Sequence, residues 1–178
     1  MNDLPIPDIR DSQCILCVQP HPDDTDIGLG ASVAMLAARG ARVVYLSVTD
    51  DAAGLLGPGA HLPYDERVAI RRREQEEAAA LLGVDEVIEL GFPDAGAWDT
   101  REARLAIVEV IHRIKPDTLI TVDPWMRYEA HRDHQKTGFA ATEASILYDF
   151  KSMSDSGETD WSIGAVGLFF TEHPNTFL

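Results

Sequence analysis

Short apolar runs alternate along this chain with longer stretches of helical periodicity, and no other feature of the sequence narrows its fold so far. Residues 14–18 (CILCV), 42–49 (RVVYLSVT), 86–90 (EVIEL), 118–122 (TLITV) and 166–170 (VGLFF) each read as a short buried strand. Helices are predicted between them, over about 24–39, 65–82, 101–115 and 134–148. Thr25 or Asp24 caps the first, Ile27, Val33, Met35 and Leu36 are among its apolar positions, and Gly40 stops it. The second reads as strongly amphipathic and ends at Gly83, and the third places Leu105, Val108, Ile111 and Ile114 at helical spacing. Residues 51–63, rich in Gly, Pro and Ala, read as a long loop, and 152–160 as a polar surface loop. Strand alternating with helix predicts an α/β fold whose mostly parallel sheet is covered on both faces. A length of 178 residues with 45% hydrophobic content suits one domain spanning 1–178.

In open sheets of this kind, ligands gather beyond the carboxyl ends of the strands. His21-Pro22-Asp23-Asp24 follows the first strand, and His131-Arg132-Asp133-His134 follows the fourth. Together they bring three His and three Asp to one edge of the sheet. Two imidazoles and a carboxylate with an open position form a common catalytic zinc arrangement, which leaves the surplus groups free for acid–base work. Each segment alone also reads as an ordinary helix-starting turn; their joint occurrence after neighbouring strands is what favours a site.

Charge removes other function classes. The chain carries 15 Lys+Arg against 30 Asp+Glu, a net charge of −15. Nucleic-acid phosphates and anionic membrane surfaces both call for a basic face, and none is visible. Most of the acidity lies outside the two motifs, and Lys is scarce at 3 against 12 Arg, which raises adaptation to high salt as an expectation. No apolar run approaches the roughly 18 residues of a membrane span. The first eight residues do not resemble a signal peptide, two cysteines make no disulfide framework, and the expected location is the cytoplasm.

Four segments in this order, QPHPDDTDIGLGAS, RRREQEEAAALLGV, LGFPD and YEAHRDH, carry a family resemblance. The chain resembles the LmbE-like (PIG-L) family of zinc-dependent N-deacetylases from about Cys14 to Asn175. The resemblance implies a Rossmann-like three-layer sandwich and one zinc ion held by His21, Asp24 and His134. It implies Asp23 as general base, and His131 as the group that stabilises the oxyanion or protonates the leaving amine. Asp133 would orient a neighbouring imidazole. Arg71, with Arg72 and Arg73 as adjacent competitors, and Asp94 would hold sugar hydroxyls. The implied reaction removes the N-acetyl group from an N-acetylglucosamine-type sugar or conjugate and releases acetate. A zinc amidase acting on another amide, such as a thiol conjugate, and a non-catalytic metal- or sugar-binding protein are the alternatives. The intact Asp23 speaks against the last. Asp26 stands where many members have Glu, and most members continue past the position of Leu178. The chain is therefore read as a short member or as one lacking a C-terminal segment.

Remaining signals are structural in this reading. Cys14 and Cys17 fall on opposite sides of a strand and make no redox pair. Gly28-Leu29-Gly30 lies inside a helix and lacks the third glycine of a dinucleotide fingerprint. Trp98, Trp125 and Tyr128 are candidates to stack on a sugar, the last two the better placed, and packing is the alternative. His61, His112 and His173 have no motif context.

Overall fold

The computed structural model describes residues 6–151 and 159–176. Among them, β1 (Cys14–Gln19), β2 (Arg42–Thr49), β3 (Glu86–Phe92), β4 (Thr118–Val122) and β5 (Ala165–Phe169) form one sheet. The helices are α1 (Asp24–Ala38), α2 (Tyr64–Leu82), α3 (Thr100–Ile114) and α4 (Arg132–Leu147). Most of the predicted polar stretch 152–160 lies outside the described residues, as do residues 1–5 of the N-terminal segment. No described helix is long and apolar enough to cross a membrane.

The strand order is β3-β2-β1-β4-β5, and every pairing is parallel. The chain therefore winds outward from β1 to β3, crosses back, and continues outward from β4 to β5. Connections leaving β1 and β4 run to opposite faces, which opens a crevice at the carboxyl ends of these two strands. Leu16 and Val18 point into a core closed by Ala103, Ile107 and Ile111 of α3 and Ala140 and Ala144 of α4. Ile15 and Cys17 point into the other core, with Val33 and Leu36 of α1 and Ala79 of α2. Burial on both faces explains why the strands read as apolar runs rather than as alternating patterns. The result is the Rossmann-like three-layer sandwich, all parallel.

The cysteines divide between these layers: Cys14 packs on the α3–α4 side and Cys17 on the α1–α2 side. Burial pushes the Cys17 thiol up to about 12, so it stays protonated and inert.

Four local expectations change. Neither Asp24 nor Thr25 is the N-cap of α1; Asp23 occupies that position and makes no side-chain cap bond. Buried Gln19 does the capping instead, accepting the Thr25 N–H at 2.9 Å. Ile27, predicted among the apolar positions, is 72% exposed. Only Gln75 and Ala79 of α2 are fully buried, so its inward stripe is polar in part and the helix is less amphipathic than its charge pattern suggested. Gln75 is tolerated there because its Nε2 donates to Ser47 Oγ (2.7 Å), which also accepts from Gln19 Nε2 (3.0 Å). Finally, α4 begins at Arg132, with His131 at its N-cap, so His134 falls in the first turn.

α4 approaches the end of β4 closely at Gly138, where an added Cβ would stand 2.7 Å from the Val122 carbonyl oxygen and 2.9 Å from Pro124. Alanine is the better helix former by about 1 kcal/mol. A clash with backbone outweighs that gain, so Gly138→Ala is expected to destabilise the fold by about 1–3 kcal/mol. Calorimetry checks this as a lowered Tm; an unchanged or raised Tm would contradict the close approach.

Candidate functional site

β1 delivers its chain directly into the site. His21 and Asp24 lie three residues apart across the start of α1, and both are buried. The His21 backbone N–H donates to Asp24 Oδ2 at 3.0 Å, and His21 Nδ1 lies 3.1 Å from the same oxygen. From the facing side, the first turn of α4 places His134 Nε2 3.4 Å from Asp24 Oδ1. Ligating atoms of His21, Asp24 and His134 all lie within 4.8 Å of one another. His131 closes the group, its ring 4.7 Å from that of His21 and 5.1 Å from that of His134.

Two more carboxylates stand behind His21. Asp94 Oδ1 is 3.3 Å from His21 Nε2, and its Oδ2 accepts the Ala53 N–H at 2.9 Å. Asp133 Oδ2 is 3.7 Å from the same nitrogen; the carboxylate is held by the Ala95 N–H (2.8 Å) and Trp98 Nε1 (3.0 Å). Burial opposes a charge on His21, but hydrogen bonds with Asp133, Asp24 and Asp94 push its pKa up to about 12. The His21 hydrogen bond holds Asp94 below the usual carboxylate range, and Asp133 is also lowered, against burial, by His21 and its two N–H donors. Burial lowers His134.

Such a cluster has more negative charge than its own imidazoles balance, and it calls for a cation. Two imidazoles with a carboxylate are the donor set suited to zinc. The nitrogens nearest Asp24, His21 Nδ1 and His134 Nε2, are the ones placed to act as ligands, while His21 Nε2 faces Asp94 and Asp133 and His134 Nδ1 faces Glu129.

Asp23, at the N-cap, stays partly open to solvent, and its Oδ2 lies 2.9 Å from Arg71 Nη2. Of the three adjacent arginines, only Arg71 reaches the site. Arg72 pairs on the surface with Glu76 (3.0 Å) and Glu89 (3.5 Å), and Arg73 is exposed. Arg71 also pairs with Asp51 and Glu74.

Sequence reasoning passed over two residues. Asp51 follows the carboxyl end of β2, the kind of position the sheet rule flags. Glu129 accepts the His131 N–H (2.7 Å) and places Oε2 3.2 Å from His134 Nδ1, but only its nearness to the second motif hinted at this. Asp26 accepts the Tyr45 hydroxyl at 3.0 Å, tying α1 to β2.

Trp98 is buried, donates its Nε1–H to Asp133 and has its ring covered by the Lys136 ammonium at 4.3 Å, so it is not a free stacking surface. Trp125 and Tyr128 are 64% and 93% exposed, and Trp125 meets Phe139 edge-on at 5.6 Å. An open cleft of about 610 Å³ lies beside His131 and Asp133, lined in part by Gly96, Thr100, Lys136 and Phe139. Gly28 is a packing glycine, since a Cβ there would stand 2.6 Å from the Phe169 ring.

Comparison with known proteins gives a consistent picture. The family model described as PIG-L, GlcNAc-PI de-N-acetylase, matches residues 16–145. The chain is 38% identical to a diacetylchitobiose deacetylase of Thermococcus kodakarensis, over 95% of this chain and 64% of that protein. It is 30% identical to a 1D-myo-inositol 2-acetamido-2-deoxy-alpha-D-glucopyranoside deacetylase of Kineococcus radiotolerans, over 85% of this chain and 50% of that one. The fold superimposes on the N,N'-diacetylchitobiose deacetylase of Pyrococcus horikoshii, solved with its inhibitor MPG. The TM-score is 0.85 and the identity 34%, over 93% of this chain and 63% of that chain. The chain thus spans between half and two thirds of the length of these relatives. With the family model matching from β1 into α4, across both histidine-bearing turns, the chain belongs to the PIG-L deacetylase family.

Proposed function

We propose that this protein is a zinc-dependent N-deacetylase that removes the acetyl group from an N-acetylglucosamine-type sugar or conjugate. The observation that carries the reading is the convergence of His21, Asp24 and His134 within 4.8 Å, with the His131 ring against that of His21 and Asp23 next to Asp24 in the chain. Family membership and the names of the relatives support the reaction class and the amino-sugar substrate.

His21, Asp24 and His134 would hold one zinc ion, which would supply a water of pKa ~7 and polarise the amide carbonyl. Asp23 sits beside this centre with its carboxylate partly exposed, and accepts the proton of the attacking water. Arg71 fixes one of its oxygens through Nη2 and thereby orients the other. His131, at the α4 N-cap, faces the developing oxyanion, where a preorganised donor contributes several kcal/mol. The departing amine takes its proton from Asp23 or His131, and the products are acetate and the free amino sugar. Asp133 steadies His21 from behind. The family resemblance assigns Arg71 and Asp94 to sugar hydroxyls; here each also supports the site, Arg71 through Asp23 and Asp94 through His21. The cleft beside His131, whose lining residue Phe139 meets the exposed Trp125 edge-on, is the proposed sugar path.

Acetate release should be measured across free N-acetylglucosamine, chitobiose, lipid-linked and thiol-linked forms with zinc present. Activity on at least one, abolished by chelator and restored by zinc, is expected; zinc-replete protein inert on all of them would overturn the proposal. Asp23→Asn should keep stoichiometric zinc and lose about 10²–10⁴-fold in kcat. His134→Ala should lose the metal itself, read by elemental analysis. Trp98→Phe withdraws a donor from buried Asp133 and is expected to cost about 1–3 kcal/mol in urea unfolding.

A further inference from the structure

We propose that Asp51 is a positioning residue, which holds Arg71 in the one orientation that presents Asp23 to the reacting water. The inference rests on the deacetylase reading and adds a residue to it. Asp51 is unusual in three independent ways. Its backbone has φ 53°, the left-handed region that a side chain disfavours. Its carboxylate is buried, the residue being 4% exposed, and burial pushes its pKa up to about 6 against the pull of the Arg71 guanidinium. The following turn closes directly on it: the Gly54 N–H donates to the Asp51 carbonyl at 3.1 Å, and a Cβ at Gly54 would lie 2.0 Å from Asp51 Oδ1. A charged group kept in a disfavoured backbone conformation, under a loop with no room for another atom, answers a need other than stability.

The partner shows what that need is. Arg71 uses Nε for Asp51, Nη1 for Glu74, and Nη2 for Asp23 Oδ2 at 2.9 Å and the Pro22 carbonyl at 3.5 Å. A guanidinium is planar, so fixing its Nε edge fixes the direction of Nη2. Of the three carboxylates around it, Asp51 has a 6% exposed side chain, against 49% for Glu74 and 45% for Asp23. The buried one is the anchor, and the other two are free to follow. Without that anchor, Arg71 can turn to chelate Asp23 with both nitrogens or swing toward Glu74, and in either case Asp23 loses its set direction.

Asp51→Asn preserves size, tolerates the left-handed backbone and removes the charge. It should lower kcat by about 10–100-fold, the scale of a misplaced reacting group, with zinc stoichiometry unchanged. In an Arg71→Lys background the same substitution should cost nothing further, because the route through the guanidinium is already gone. Full additivity of the two losses would overturn the proposal, as would wild-type kcat in Asp51→Asn. Gly54→Ala displaces the Asp51 carboxylate with every charge intact; it should reproduce the loss in kcat and carries the test should the Asp51→Asn chain misfold. If the parent protein releases no acetate from any sugar, the deacetylase reading fails by itself. Asp51 is then judged from a crystal structure of Asp51→Asn: an Arg71–Asp23 contact still at about 2.9 Å refutes the anchoring role, and its loss supports it.

Discussion

Parallel pairing of β1 with β4 is the constraint on which the rest of the structure depends. The register sets Ile15 against Thr118 and Val18 against Thr121, so the two strands end nearly level. The two histidine-bearing turns leave these strand ends and therefore emerge side by side. The connections then run toward opposite faces, β1 into α1 and β4 into α4, so the turns face one another across a crevice. Asp24 in the first turn of α1 and His134 in the first turn of α4 consequently come within 3.4 Å although 110 positions separate them. A slip of one residue in the β1–β4 register would reverse the faces of the strand side chains and dismantle both cores along with the site.

The electrostatics depend on this placement. Asp24, Asp94 and Asp133 converge on His21 from three elements of the chain, each with a low exposure that forbids dilution by water. Backbone N–H groups and Trp98 stabilise the outer carboxylates, and the His21 imidazole answers part of the remaining charge. Asp23 belongs to a separate arrangement, balanced by Arg71 rather than by the histidines. Two neighbouring carboxylates in the chain thus enter different environments. That separation suits a ligand beside a base.

Much of this was legible in the residues. Burial on both faces makes Cys14–Gln19 and Arg42–Thr49 recognisable as inner strands, and the spacing in α3 reveals its core face. The two His/Asp segments stood out because the sheet rule directs attention to the ends of strands. What the residues left open was of a different kind. The cap of α1 comes from Gln19 on a strand, outside any local capping pattern. Three consecutive arginines cannot be ranked until the rotation of α2 against the sheet is known, and Arg71 is the one that turns inward. Trp98 looked like a sugar platform, yet its indole N–H is committed to Asp133. Asp51 carried no motif at all; its importance lies in burial, backbone conformation and a partner 20 positions away.

By itself, then, the sequence determined the α/β class, the order of elements and the residue types gathered at strand ends. All of these arise from periodicity and turn chemistry, which act over a few residues. Tertiary structure alone decided which acid serves which base: His21 with three carboxylates, Asp23 with Arg71, and Arg71 with Asp51. Those pairings depend on close approach between segments far apart in the chain, and only packed helices and a registered sheet can set it.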